Sequence, residues 1–178
     1  FQAGASSVAL AINGFLVDAM KSAGIRARFV QAGSTFQTVQ LLREGLVDYV
    51  LDGQSFDMDG IESLRDDPRH VATSAFTSYD FHTKGDFMGM VDAVFLGATE
   101  VDVDFNANVA THSDGMLLHG VGGWQQCLNA KCTILTVPSA RRKGSILVDR
   151  VTTLCGPGQL VDVVVTERGI AINPRRED

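Results

Sequence analysis

At 178 residues and 19.1 kDa the chain is long enough to bury one sizeable hydrophobic core, and its 45% hydrophobic and 20% charged residues exclude a disordered segment. A net charge of -6 and a pI near 5.1 argue against non-specific binding to nucleic acid or anionic membranes, which would need a basic face. The three cysteines, Cys127, Cys132 and Cys155, fit neither a disulfide framework nor a zinc pair, and no run approaches the roughly 20 apolar residues of a membrane span, so a cytoplasmic protein with reduced thiols and no metal is expected.

The chain opens without a Met at Phe1-Gln2-Ala3-Gly4, in what reads as a strand-to-helix turn, so a piece of a longer protein is expected. Over residues 6–23, Val8, Ile12, Phe15 with Leu16, and Ala19 with Met20 fall on one stripe at helical spacing, with Ser6 or Ser7 as N-cap and Gly24 as terminator. Residues 25–30 alternate apolar and basic side chains, as a half-buried strand does. Ala32-Gly33-Ser34 then turns the chain into a second helix whose buried stripe is Phe36, Val39, Leu42 and Leu46, with Gly45 weakening its end. A third strand is expected at 47–51 and a short helix at 57–65, closed off before Pro68.

Beyond His70 the pattern changes. Residues 71–80 are polar-alternating, 81–90 loop-like, and 92–96 a continuous apolar strand. Glycines at 120–123 lead into a helix to about Ala130, followed by a buried strand at 133–137 that stops at Pro138. The end is β-rich, with strands at 145–153, 161–166 and 170–172, the last two joined by a Glu167-Arg168-Gly169 hairpin loop. Strands alternating with helices in this way imply βαβ units: an α/β fold with a mostly parallel open sheet, helices on both faces, and one domain over residues 1–178.

In open α/β sheets, ligands sit at the carboxyl ends of strands. Three loops qualify. Residues 2–7 run into a helix N-terminus whose N–H groups favour an anion, although a plain strand-to-helix turn reads as well. Residues 97–106 place Glu100, Asp102 and Asp104 on one face if extended, with Asn106 and Asn108 continuing it. Three such carboxylates can bind a divalent cation, raise one another's pKa, or face water on a half-exposed strand. Residues 119–124 hold successive glycines that let a substrate approach the backbone and offer N–H donors to an oxyanion, at a spacing that fits neither a P-loop nor a dinucleotide fingerprint. Of the four histidines, His70, His82 and His112 read as surface residues, and His119 stands out beside the glycines.

These residues carry a resemblance. The string VDAVFLGATEVDVDFN over residues 91–106 is similar to the citrate lyase α-subunit motif D-x-V-x-L-G-A-x-E-[IV]-D-x-[DG]-F-N. So are Ser113-Asp114-Gly115 and the tail over residues 161–176, and Gln54-Ser55-Phe56-Asp57 followed by Glu62-Ser63-Leu64-Arg65 resembles the same family. Together they cover most of the chain from residue 47 onward, most densely over residues 92–178.

The resemblance implies a CoA-transferase-like half-domain. It implies an α subunit that exchanges acetate for citrate on an acetyl thioester, giving a citryl thioester that a β subunit cleaves. The thioester belongs to an acyl carrier (γ) subunit bearing a phosphoribosyl-dephospho-CoA arm. Many relatives attack the thioester with a glutamate in a Ser-Glu-Asn type sequence; the corresponding Gln54-Ser55-Phe56-Asp57 offers none, which fits the variant in which citrate itself attacks and forms a mixed anhydride. On this reading Gly122 and Gly123 are the oxyanion donors, and Glu100 positions the carrier arm or neighbouring loops. Gly97, Asn106, Asn108, Gly120, Gln54 and Ser55 bind substrate or arm. Arg141 and Arg142 are available to neutralise Glu100 and Asp102.

Two departures stand out. The first turn is poorer in glycine than the family's. Where the family reads G-G-H-S-D-T-x-A-G, this chain has Gly122-Gly123-Trp124-Gln125-Gln126-Cys127-Leu128-Asn129, without the histidine and aspartate. The first half of the subunit is missing, so the piece alone is expected to be inactive. A non-catalytic metabolite-binding module or an assembly domain of the same fold is the alternative.

Overall fold

The computed structural model describes residues 1–4, 6–74, 77, 87–142 and 144–175. They form two compact units, Phe1–Val91 and Asp92–Asp178.

In the first unit, strands β1 (Gln2–Ala3), β2 (Ala27–Ser34), β3 (Val47–Ser55) and β4 (His70–Ala72) run parallel in chain order, joined by helices α1 (Ser7–Ala23), α2 (Phe36–Arg43) and α3 (Met58–Asp66). Parallel neighbours cannot be joined by a tight turn, so each pair uses a helical crossover. The Ser6 hydroxyl accepts the Ala9 N–H at 3.2 Å, and Gly24 ends α1 at φ 62°. The buried side of α1 is Ala9, Asn13, Val17 and Met20, one residue round from the expected stripe; Val8 and Phe15 are exposed. Apolar residues surround this helix, as in Val8-Ala9-Leu10-Ala11-Ile12, so the period is legible in the sequence and the phase is not. In α2 the buried residues are Thr38, Val39, Leu41 and Leu42, and Phe36 is half exposed. The core gathers Val17, Met20, Val30, Leu41, Leu42, Leu46, Val47 and Val50. Each such side chain contributes roughly 1.5–3 kcal/mol when fully buried.

Two strands outrun their expected ends. β2 continues through Ala32-Gly33-Ser34, with an irregularity between Ala32 and Gly33, and β3 continues to Ser55. The pairings Gly33↔Gln54 and Ser34↔Ser55 satisfy backbone groups that a turn would leave open. Gln54 and Ser55 therefore sit on the carboxyl end of a strand rather than in a loop.

In the second unit, β5 (Ala93–Leu96), β8 (Cys132–Thr136) and β12 (Val163–Thr166) are parallel, and β13 (Gly169–Ile172) returns antiparallel to β12. A separate sheet orders β11 (Leu147–Val148), β6 (Glu100–Asp102) and β7 (Ala107–Asn108), and β9 (Ala140–Arg141) pairs with β10 (Gly144–Ser145). The helix after the glycines, α4 (Trp124–Cys127), is a single turn. The long strand expected over 145–153 breaks up after Val148, because the N–H groups of Val151 and Thr152 are taken by the Asp102 and Glu100 carboxylates instead of a ladder. The expected α/β class with a mostly parallel sheet stands. The readings at 71–80 and 81–90, and His82, fall mostly outside the described residues.

Candidate functional site

At the carboxyl ends of β2 and β3 the side chains converge on one buried carboxylate. Asp52 Oδ2 accepts the hydroxyls of Ser34 at 2.8 Å and Ser55 at 2.5 Å, and Oδ1 accepts the Gln54 N–H at 2.8 Å. His70 Nε2 lies 3.4 Å from Oδ2, too long for a full hydrogen bond, while its Nδ1 meets the Ser63 hydroxyl at 2.9 Å. Burial pulls the Asp52 carboxyl upward; the His70 ring, the two hydroxyls and the Gln54 N–H outweigh it and hold the pKa at about 2. Gln54 is exposed and Ser55 half-buried, so both reach the surface, whereas Asp52 and His70 are 3% exposed. The expectation of a surface His70 is therefore corrected. Its place follows from β3–β4 pairing, which sets Val50 opposite His70 and points the ring back at Asp52, a long-range contact that local sequence does not display.

In the second unit the chain folds back after Asp102. Phe105 takes φ 65°, and β6 and β7 pair Glu100 with Asn108. The carboxylates of this segment do not share one solvated face. Glu100 is 2% and Asp102 7% exposed. Glu100 Oε2 accepts the Asn108 amide at 2.8 Å and the Thr152 N–H at 3.0 Å. Burial pulls the Glu100 carboxyl up, but the Asn108, Ser113 and Thr152 donors outweigh it and hold it below the usual carboxylate range. Asp102 accepts from the Asn106 side chain at 3.1 Å and the Val151 N–H at 3.2 Å. Asn106 in turn accepts the Gly158 N–H at 2.9 Å, and Asn108 accepts the Ala110 and Thr111 N–H groups at 3.1 Å each. Neutral donors thus satisfy these anions. Arg141, available to neutralise them, instead donates its guanidinium to the Ala98 carbonyl at 3.1 Å.

That bond is one of two that gather loops at the carboxyl end of β5. Trp124 Nε1 donates to the Gly97 carbonyl at 2.9 Å, and its ring lies so close over Gly156 that a Cβ there would stand 2.7 Å away. Trp124 therefore ties the glycine loop to β5. Gly122 adopts φ 56°, and the backbone N–H groups of Gly120, Gly122 and Gly123 donate to no acceptor among the described residues. His119 is exposed and its Nδ1 stays with the Gly120 carbonyl at 2.8 Å.

Within this unit Gly97 and the glycine loop are brought together, and Glu100 joins Asn108; Gln54 and Ser55 belong to the other unit's cluster. A cavity of about 460 Å³ walled by Val101, Phe105, Leu147, Val164 and Ile170 takes in Asp102 but none of the residues expected to bind substrate or arm. Among the described residues no group of three His, Cys, Asp or Glu side chains converges as a metal site, and no helix is long and apolar enough to cross a membrane. The residues missed from sequence are Asp52 and Trp124, since neither carries a motif and each acts through a contact distant in the chain.

The family model for the citrate lyase alpha subunit (CitF) matches residues 1–178. The chain belongs to the citrate lyase alpha subunit family. It is 40% identical to the citrate lyase alpha chain of Klebsiella pneumoniae and 39% identical to that of Escherichia coli, in each case over 99% of this chain and 35% of the relative. It therefore spans about 35% of the length of these curated relatives. The crystal structure of the alfa subunit of citrate lyase in complex with citrate from Streptococcus mutans matches with a TM-score of 0.95 at 40% identity, over 99% of this chain and 35% of that one. The malonate decarboxylase alpha subunit from Acinetobacter baumannii matches at TM-score 0.73 and 17% identity, over 96% of this chain and 40% of that one, and so shares the fold.

Proposed function

We propose that this chain is part of a citrate lyase alpha subunit and takes part in acyl exchange between an acetyl thioester and citrate. The supporting observation is the match to the citrate lyase alpha subunit family over residues 1–178. In this reading a citrate carboxylate oxygen attacks the thioester carbonyl carbon, the C–S bond breaks, and a thiolate leaves a mixed anhydride. The thiolate then attacks the citryl carbonyl of the anhydride and expels acetate. Both steps pass through an oxyanion, and the N–H groups of Gly122 and Gly123, which donate to no acceptor among the described residues, are suited to bind it. Glu100 holds the 152 region from behind and stays out of reach of a tricarboxylate, since it is buried and already hydrogen-bonded. In the second unit Gly97 follows β5 and Gly120 lies in the glycine loop, and in the first unit Gln54 and Ser55 end β3; each is a candidate to bind arm or acid.

The arm would be the phosphoribosyl-dephospho-CoA group of an acyl carrier subunit, with a β subunit completing the complex and the protein acting in the cytoplasm. The test is thioester exchange by the full-length subunit with acetyl-CoA as surrogate donor and citrate or related acids as acceptors. Exchange with citrate is expected from the full-length subunit and none from these residues alone; no exchange with any acid overturns the reading. One feature favours a binding or assembly module instead: Trp124 and Cys127 are turned inward, in the stretch where the resemblance expects a histidine and an aspartate that this chain lacks. Capture of the carrier or β subunit without exchange selects that alternative.

A further inference from the structure

The acyl-exchange chemistry above leaves two buried ionisable side chains of the first unit without a task, Asp52 and His70. An ionised carboxylate only accepts hydrogen bonds, so each hydroxyl on Asp52 must donate to it. The Ser55 hydrogen therefore points inward, at 2.5 Å from Asp52 Oδ2, and the oxygen is left with lone pairs alone. Such an oxygen repels the carboxylates of an acid substrate and takes an N–H or O–H from a ligand. His70 packs against the carboxylate with its Nε2 3.4 Å from the same Oδ2, and it is itself tied to α3 through Ser63.

The surroundings narrow the ligand further. Phe56, next to Ser55, is 46% exposed, Phe36 at the start of α2 is 50% exposed and Met58 at the start of α3 is 64% exposed. The Phe56 ring is seated on Gly33, where any Cβ would collide with it, and the Asp57 carboxylate accepts the Phe36 N–H at 2.7 Å, which fixes these segments together. An apolar rim beside a pure acceptor suits an arm with methyl and methylene groups and amide N–H donors. It does not suit a tricarboxylate.

We propose that Asp52, braced by His70, is a positioning residue that makes Ser55 the acceptor for an amide N–H of the thioester-bearing arm. The proposal rests on the acyl-exchange reading, and its test separates the two. In the full-length subunit, Ser55→Ala and Asp52→Asn raise KM for acetyl-CoA about 3- to 10-fold, the worth of one neutral hydrogen bond, and leave kcat and the citrate KM within about twofold. Ser55→Thr keeps the acceptor and stays within about twofold of the parent. A merely structural role lowers the active fraction, and so kcat, without moving KM. Loss of kcat alone, an unchanged acetyl-CoA KM in Ser55→Ala, or a raised citrate KM overturns the assignment while acyl exchange stands. If the parent exchanges no acid, acyl exchange fails and titration with pantetheine decides the remainder: binding weakened about 3- to 10-fold by Ser55→Ala supports the acceptor, and equal or absent binding overturns it.

Discussion

Single residues in this protein act mostly through whom they bind, and two carboxylates show it. Asp52 has its pKa held at about 2, below its ordinary 3.8. A depressed carboxyl stabilises the fold above its unfolded pKa and loses that contribution as pH falls through the folded value. The stability gap between the parent and Asp52→Asn is therefore expected to be roughly 2 kcal/mol at pH 6 and to close between about pH 4 and pH 2. Denaturant unfolding across that range measures it, and a gap constant with pH contradicts the assignment. Glu100→Gln keeps one oxygen for the Asn108 amide and the Thr152 N–H, but it sets an NH2 where Oε1 accepts the Thr152 hydroxyl and replaces charge-assisted bonds by neutral ones. A loss of about 1–3 kcal/mol is expected in thermal or urea unfolding. A neutral outcome there means the carboxylate is not the anchor of the 152 region.

Elements in the first unit are set by their ends as much as by their faces. α1 begins on the Ser6 hydroxyl and stops at Gly24 with φ 62°. Ser6→Ala removes an acceptor for the Ala9 N–H, and Gly24→Ala forces a Cβ into the left-handed region; each is expected to cost about 1 kcal/mol. Faster amide exchange confined to the first or the last turn of α1, respectively, is the reading that checks it. Both ends were visible as residue types. The buried face was not, because only the packing partner decides which side of an apolar helix turns inward. β3 makes the same point: Ser55 has no strand signal of its own and is extended because Ser34 lies opposite it.

For the whole molecule, burial sorts the three thiols. Cys127 and Cys155 are buried and Cys132 is partly accessible. A thiol reagent applied to the native protein is expected to label Cys132 first and the other two only on unfolding. Labelling of all three at one rate in the native state speaks against the packing of Trp124 over Gly156 described above.

Residue order alone was enough for the α/β class, most crossovers, the capping residues and the family, since each depends on local spacing or on a contiguous motif such as GATEVDVDFN. The inward turn of Glu100 and Asp102, the burial of His70, the Asp52 cluster and the Trp124–Gly97 tie were decided by tertiary structure. Each joins residues far apart in the chain, as Thr152 to Glu100 or His70 to Asp52. A carboxylate looks solvated in a sequence until the donors that replace its water are brought to it, and folding alone brings them.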